Sequence, residues 1–262
     1  MKKFLKILVF VLTVGAIGCL WFFVHKEHVE HPLQRVDLTV ERPTQHGFID
    51  KDVEYQNIIA ICDTTKNTDI TKIPLDSVRR YLATIPWATY TEAQITFEEV
   101  MVVKIVECEP IMRVYNKDGR SVYLDAEGNI FPTKSDYTPH LIIGSGNLNF
   151  KDLKNNSANI SDKNYINSDL PKIYRVIKSV LNNSYTRVCV KQVYYDKKTY
   201  ELVLNNVETK VILGNDKNLD ERLMNLQYFF EKMQGSPELE EYSVINFNFD
   251  NQVVCTKNKR KK

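Results

Sequence analysis

The chain has 262 residues, 43% of them hydrophobic and 26% charged, with a formal net charge of +2. This is enough apolar material for one large or two smaller cores, and it excludes disorder throughout. A charge so near zero argues against a nucleic-acid partner, and the closing run TKNKRKK, residues 256–262, reads as a solvated basic end.

At the amino terminus MKKFLK is followed by ILVFVLTVGAIGCLWFFV, residues 7–24, without a single charge. At helical rise this run spans about 27 Å, close to the hydrocarbon core of a bilayer, so it predicts a transmembrane helix. Lys2, Lys3 and Lys6 place the short leading end, residues 1–6, in the cytoplasm and everything beyond Val24 across the membrane, with Trp21, Phe22 and Phe23 at the outer interface. A cleaved signal would need a shorter apolar run with small residues at its end, whereas here LWFFV follows the small cluster of residues 15–18. The tetrapeptide AIGC, residues 16–19, resembles a lipoprotein processing box, but Cys19 is read as an apolar residue of the span.

Residues 25–35, HKEHVEHPLQR, form a polar stalk. Its histidines, His25, His28 and His31, recur at steps of three that drift around a helix, and no cysteine or carboxylate cluster completes a metal shell. Cys62, Cys108, Cys189 and Cys255 are scattered rather than spaced as a disulfide framework and are read as free thiols.

A first domain is expected over residues 36–109. Val36, Leu38 and Val40 alternate as in a strand, and Asp50 can cap a helix carrying Val53, Ile58 and Ile61. Leu75, Val78 and Leu82 follow Pro74 at helical spacing, and Pro86 ends that helix. ATYTEAQITF and VMVVKIVECE then form a hairpin that turns near Glu98 and Glu99.

The second domain is expected over residues 110–257, ahead of a basic tail at 258–262. It opens as a β-meander turning at NKDG and AEGN, where Gly119 and Gly128 can take positive φ. Residues 145–169, crowded with Asn, Ser, Asp and Lys, suit a solvated excursion. Leu170, Ile173, Tyr174, Ile177 and Leu181 mark an amphipathic helix, and strands follow over residues 187–195, 200–204 and 209–213. Asn218 with Glu221 signals a further helix whose stripe is Leu219, Leu223, Leu226, Phe230 and Met233. Two strands close the chain, YSVINFNF and QVVCTK, hinged at Asp250 and Asn251. Alternation in the first is expected to bury Ser243, Ile245, Phe247 and Phe249 on one face.

No convergent chemistry emerges. The chain lacks a nucleophile elbow, a phosphate-cradling glycine loop, HExxH and a close cysteine pair. His140 lies between Pro139 and an apolar strand, and Asp125 with Glu127 reads as turn chemistry rather than a catalytic pair. No catalytic residue, cofactor or metal is expected.

The run IPLDSVRRYLATIPWATYTEAQITFEEVMVVKIVECEPIMRVYNKDG, residues 73–119, resembles the junction between the POTRA domain and the β-domain of the cell-division family FtsQ/DivIB. A helix ends in the Pro86–Trp87 pair, and a later strand closes with a Glu-x-x-Pro run at Glu107–Pro110. YLDAEGNIFP, residues 123–132, and SDYTPHLIIGSGN, residues 135–147, are similar to FtsQ segments of the Bacteroidetes type. The chain departs from the proteobacterial pattern in lacking a proline before the Val100 strand and in its short carboxyl-terminal extension.

The resemblance implies an α+β protein with one amino-terminal transmembrane helix, a POTRA domain, and a mixed β-domain that ends in an exposed sheet edge. It implies a non-catalytic scaffold of the inner membrane with periplasmic domains, acting at the division septum. Its partners would be coiled-coil membrane proteins like FtsB and FtsL, and through them FtsK, FtsW and FtsI, with no nucleic acid and no small-molecule substrate. Matching the family's closing strands onto FNFDNQVVCTK assigns the contact to Phe249, Gln252, Val253, Val254 and Cys255. The competing reading is a membrane-anchored envelope-biogenesis or sensor module that captures an exported polypeptide through its POTRA domain.

Overall fold

The structure is a computed structural model that describes residues 2–29, 32–44, 46–62, 70–153, 157–205, 207–249 and 252–258. The chain divides into two compact units, residues 1–107 and 108–262.

The first unit opens with helix α1 (Lys2–Val29), whose described side chains, residues 10–24, are uncharged and exposed. Among the described residues, no helix is long and apolar enough to cross a membrane. Residues 7–9 of the expected span and the stalk histidines His25, His28 and His31 fall outside the described side chains. The transmembrane reading is thus not established by this helix.

Strand β1 (Arg35–Glu41) leads to α2 (Lys51–Cys62), where Asp50 Oδ1 accepts the N–H groups of Asp52 and Val53 and so caps the helix. α2 turns Ile58 and Cys62 into the core, while Val53, read as core from its spacing, is 53% exposed. α3 (Leu75–Leu82) buries Val78 and Leu82, one helical turn apart, and Pro74 takes the capping position just before its first turn. Arg79 of α3 donates through Nε and Nη2 to Ala93 O of β2 (Ala88–Ile95), tying the helix to the sheet. β3 (Val100–Glu107) pairs antiparallel with β2 and parallel with β1, giving the order β1-β3-β2. The central strand β3 carries Met101, Val103 and Ile105 wholly buried against both helices' apolar faces.

The second unit begins with the meander β4 (Met112–Tyr115), β5 (Ser121–Leu124) and β6 (Asn129–Pro132). Gly119 and Gly128 stand at φ 82° and 80° in its two turns, the left-handed conformation that glycine accepts without steric cost. β7 (Ile142–Gly146) joins parallel to β4. The segment over residues 145–169 is not merely a solvated excursion. Leu148, Phe150 and Tyr165 enter the core, Tyr165 donates its hydroxyl to Asp152 O at 3.0 Å, and β8 (Ala158–Asn159) pairs with β6. Its few apolar residues follow no period, which is why composition alone misses them.

Helix α4 (Leu170–Asn182) buries Leu170, Ile173, Tyr174, Val176, Ile177 and Val180. Each fully buried aliphatic side chain contributes about 1.5–3 kcal/mol, so this one face dominates the docking of the helix. The strand expected over residues 187–195 starts later. α5 (Thr186–Cys189) precedes β9 (Val190–Asp196), because Asn183 Oδ1 accepts the N–H groups of Tyr185 and Thr186 and starts a helical turn. β10 (Thr199–Leu204), β11 (Lys210–Gly214), α6 (Leu219–Met233), β12 (Tyr242–Asn246) and β13 (Val254–Lys257) complete the unit. Asn218 occupies the capping position of α6 at φ 50°, but its side chain makes no cap bond. The ten strands order as β13-β12-β11-β10-β9-β7-β4-β5-β6-β8, and α4 and α6 share one core with the inward-facing sheet residues.

Candidate functional site

The closing edge is built from the top of α6 onward. After α6 a short turn of helix at Pro237–Glu241, capped by Ser236 Oγ, delivers β12 beside β11 in parallel register. β12 buries Ile245 and ends at Asn246, and Phe247, just past it, is 2% exposed and packs edge-on against Phe229 of α6. Phe247 N–H then donates to Ile212 O at 2.8 Å, which holds the chain against β11. The alternation expected through Phe249 stops there. Phe249 is 43% exposed, since the chain leaves the sheet at Asn246 and alternation no longer dictates its side. The expected hinge at Asp250 and Asn251 lies outside the described residues.

β13 returns antiparallel to β12, with Asn246 opposite Val254 and Ile245 opposite Cys255. A bulge at Ser243 shifts the register, and the Ser243 hydroxyl donates to Thr256 O at 3.0 Å. Asn258 N–H donates to Glu241 O at 2.7 Å, and Lys257 pairs with Glu241 at 2.7 Å, so the end of β13 is clamped. Successive residues of a strand turn their backbone groups to opposite sides. With Thr256 and Asn258 turned to β12, Val254 is turned there too, and the N–H and C=O of Cys255 face the outer edge. Among the described residues no strand pairs with that edge.

The five residues assigned to the contact therefore divide. Val253 and Cys255 are half-buried with side chains packed on the core, whereas Gln252 and Val254 are exposed and Phe249 stands outside either strand. Cys255 offers its backbone to the edge and its thiol to the interior, where burial pushes the thiol pKa up and keeps it protonated at neutral pH. Ser243, Glu241 and Asn258, which fix this edge, have no sequence signal, because a bulge depends on two strands at once.

The remaining candidates stay apart from chemistry. Asp125 is buried and its oxygens are taken by the N–H groups of Glu127 and Asn129 and by Asn129 Nδ2. His140 is exposed. Cys62 and Cys108 are buried, Cys189 and Cys255 half-buried, and all are free thiols, as is the exposed Cys19. Among the described residues no group of three or more His, Cys, Asp or Glu side chains could hold a metal.

No curated protein matches the chain. A family model described as FtsQ/DivIB, C-terminal related, matches residues 109–256, more than half the chain, and that stretch carries the ten-stranded sheet up to Thr256 of β13. Its match points to a role in cell division among the partners of a division complex. The chain belongs to the FtsQ/DivIB C-terminal related family.

Proposed function

We propose that this protein is a non-catalytic scaffold of the division complex, anchored by α1 and working through the outer edge of β13. The single observation that carries the reading is the outward backbone of Cys255 at the end of a sheet, where no strand among the described residues pairs with it, in a chain of this family. An incoming strand would pair there, with backbone hydrogen bonds supplying affinity and the exposed side chains of Gln252, Val254 and Phe249 supplying selectivity. The partners that fit are FtsB-like and FtsL-like coiled-coil membrane proteins, and through them the complex reaches FtsK, FtsW and FtsI. Sharing one membrane raises the partners' effective concentration, so a short strand contact suffices.

The charge pattern supports this topology. Lys2, Lys3 and Lys6 precede the uncharged run at residues 7–24, which favours a cytoplasmic amino terminus and a single pass, with both folded units in the periplasm at the septum. The first unit, strand–helix–helix–strand–strand with a three-stranded sheet, is read as the POTRA domain over residues 36–109. The second is read as the β-domain over residues 110–257.

Proline substitution separates the two sides of β13. Cys255→Pro deletes a donor that faces outward, which an edge strand tolerates, whereas Val254→Pro deletes one that faces β12. The expected outcome is a Cys255→Pro variant that keeps a thermal transition close to the parent's yet captures an FtsB-like partner about tenfold less well, the loss of roughly one hydrogen bond's 1.4 kcal/mol. Cys255→Ala, which spares the amide, should capture normally. Full capture by a folded Cys255→Pro protein would remove the edge from the account.

A further inference from the structure

Phe97 sits at the tip of the β2–β3 hairpin and is 95% exposed, more than any other large apolar side chain described. The turn beneath it is tightly made. Thr96 N–H donates to Val100 O at 2.9 Å, Glu99 N–H donates to Thr96 O at 3.1 Å, and Glu99 holds φ 62°. The ring is thus held out by a fixed backbone. A single exposed phenylalanine is ordinary on a protein surface, so its position has to supply the meaning.

That position is set by the sheet. β1 runs parallel to β3 with Arg35 opposite Val100, so the start of β1 and the β2–β3 turn share one end of the unit. Gln34 fastens them: its N–H donates to Glu99 O at 3.0 Å and its Nε2 donates to Glu99 Oε2 at 3.3 Å. Gln34 follows the last residue of α1, Val29, by five positions, and five residues reach at most about 18 Å. The end of α1, the helix that carries the uncharged, exposed stretch, is thereby tethered to the end of the unit where the ring of Phe97 stands. Ile70 and Ile95 line a cleft with Phe97 at that end, so the apolar surface there exceeds one ring.

Resting on the reading of α1 as a membrane anchor, we propose that Phe97 is a second membrane contact, dipping into the headgroup region of the bilayer that holds α1. The neighbouring carboxylates suit a neutral lipid surface: Glu99 accepts from Gln34, and Glu98 is exposed beside the ring. Tethering by α1 keeps the turn at high local concentration near the surface, so shallow insertion of one aromatic side chain is enough to hold it. Two points of attachment, rather than one, would then fix how the first unit stands on the membrane.

Tryptophan quenching in vesicles tests this with the full chain. The parent has two tryptophans, Trp21 in the apolar run and Trp87 stacked on Phe48 at 6.1 Å. The protein is reconstituted into phosphatidylcholine carrying bromines near the top of the acyl chains, and into the same lipid without bromine. Quenching of the parent reports Trp21 and therefore the anchor itself. Phe97→Trp adds one emitter at the hairpin tip, and Thr84→Trp adds one at the exposed α3–β2 connection, at the other end of β2. The expected result is that the emission added by Phe97→Trp is blue-shifted and falls about twofold or more with brominated lipid, while that added by Thr84→Trp does not change. A quenched parent with an unquenched Phe97→Trp contribution overturns the second contact and leaves the anchor standing. An unquenched parent overturns the anchor, and the second contact falls with it.

Discussion

Asn116 and Asp125 solve the same problem in consecutive turns of the second unit. Asn116 Oδ1 accepts the N–H groups of Asp118 and Arg120, and Asp125 Oδ1 accepts those of Glu127 and Asn129. Each side chain thereby imitates a backbone turn, and three residues after each comes a glycine in the left-handed region. The β9–β10 hairpin lacks this chemistry. Lys197 and Lys198 form its two-residue turn at φ 48° and 68°, where each non-glycine residue costs about 1–2 kcal/mol. Replacing the pair by Lys197→Asn and Lys198→Gly supplies the residues such a turn prefers. The double variant is expected to be about 1–2 kcal/mol more stable, seen as a rise of several degrees in Tm. An unchanged or lower Tm would show that the two lysines make compensating contacts.

At the scale of elements, the first unit is held by two polar devices that connect its pieces. Glu107, 6% exposed at the end of β3, accepts the N–H groups of Phe48 and Ile49 at 2.7 and 3.1 Å and lies 3.9 Å from Arg42 Nε. This carboxylate pins the loop between β1 and α2 to the sheet. Gly47 lies against it so closely that an added Cβ would overlap the Glu107 carboxylate. Gly47→Ala should therefore destabilise the unit by about 1–3 kcal/mol, as overpacking does, measured by denaturant unfolding. A neutral effect would mean that the loop yields freely. The second device is Tyr81 of α3, whose hydroxyl donates to Glu54 Oε2 of α2 at 2.5 Å. Burial first, and then the Glu54 carboxylate, raise its pKa to about 12. The folded chain thus keeps a proton that the unfolded chain loses near its ordinary value of 10, so this contribution is complete below about pH 10 and is lost as pH climbs toward about 12. The stability advantage of the parent over Tyr81→Phe should shrink across that window in melts at stepped pH. A constant difference would refute the linkage.

The same scale shows what the residues disclosed in advance. α3 and α4 were legible because their apolar residues repeat at helical spacing, and the β2–β3 hairpin because β-branched runs flank a polar turn. β8 and the buried Tyr165 were not, since a two-residue strand has no period and a lone aromatic in a polar stretch gains its burial from distant partners. α5 was hidden because Val188 and Cys189 favour strands by composition, while the Asn183 side chain decides otherwise. At the candidate site the two closing strands were readable, but not their length or the bulge at Ser243. The bulge sets which residues of β12 meet the end of β13, with Tyr242 opposite Lys257, and it depends on pairing that neither strand encodes alone.

At the scale of the whole molecule, the family match and the large sheet fall on the same unit. The matched residues 109–256 contain the ten strands of the large sheet, from β8 at one end to β13 at the other, all but Lys257, the last residue of β13. β8 is only two residues long, which offers little ladder to a partner, whereas β13 presents a four-residue strand clamped at its far end by Asn258 and Lys257. On the proposed reading the protein acts by holding other proteins, and a clamped strand edge is suited to that. The most direct measurement is residue-resolved hydrogen exchange of the full chain with and without an FtsB-like partner. The account predicts that the Cys255 amide exchanges quickly alone and becomes protected on binding, while the Val254 and Thr256 amides, already turned to β12, change little. Binding that leaves Cys255 exchange as fast as in the free protein would contradict it.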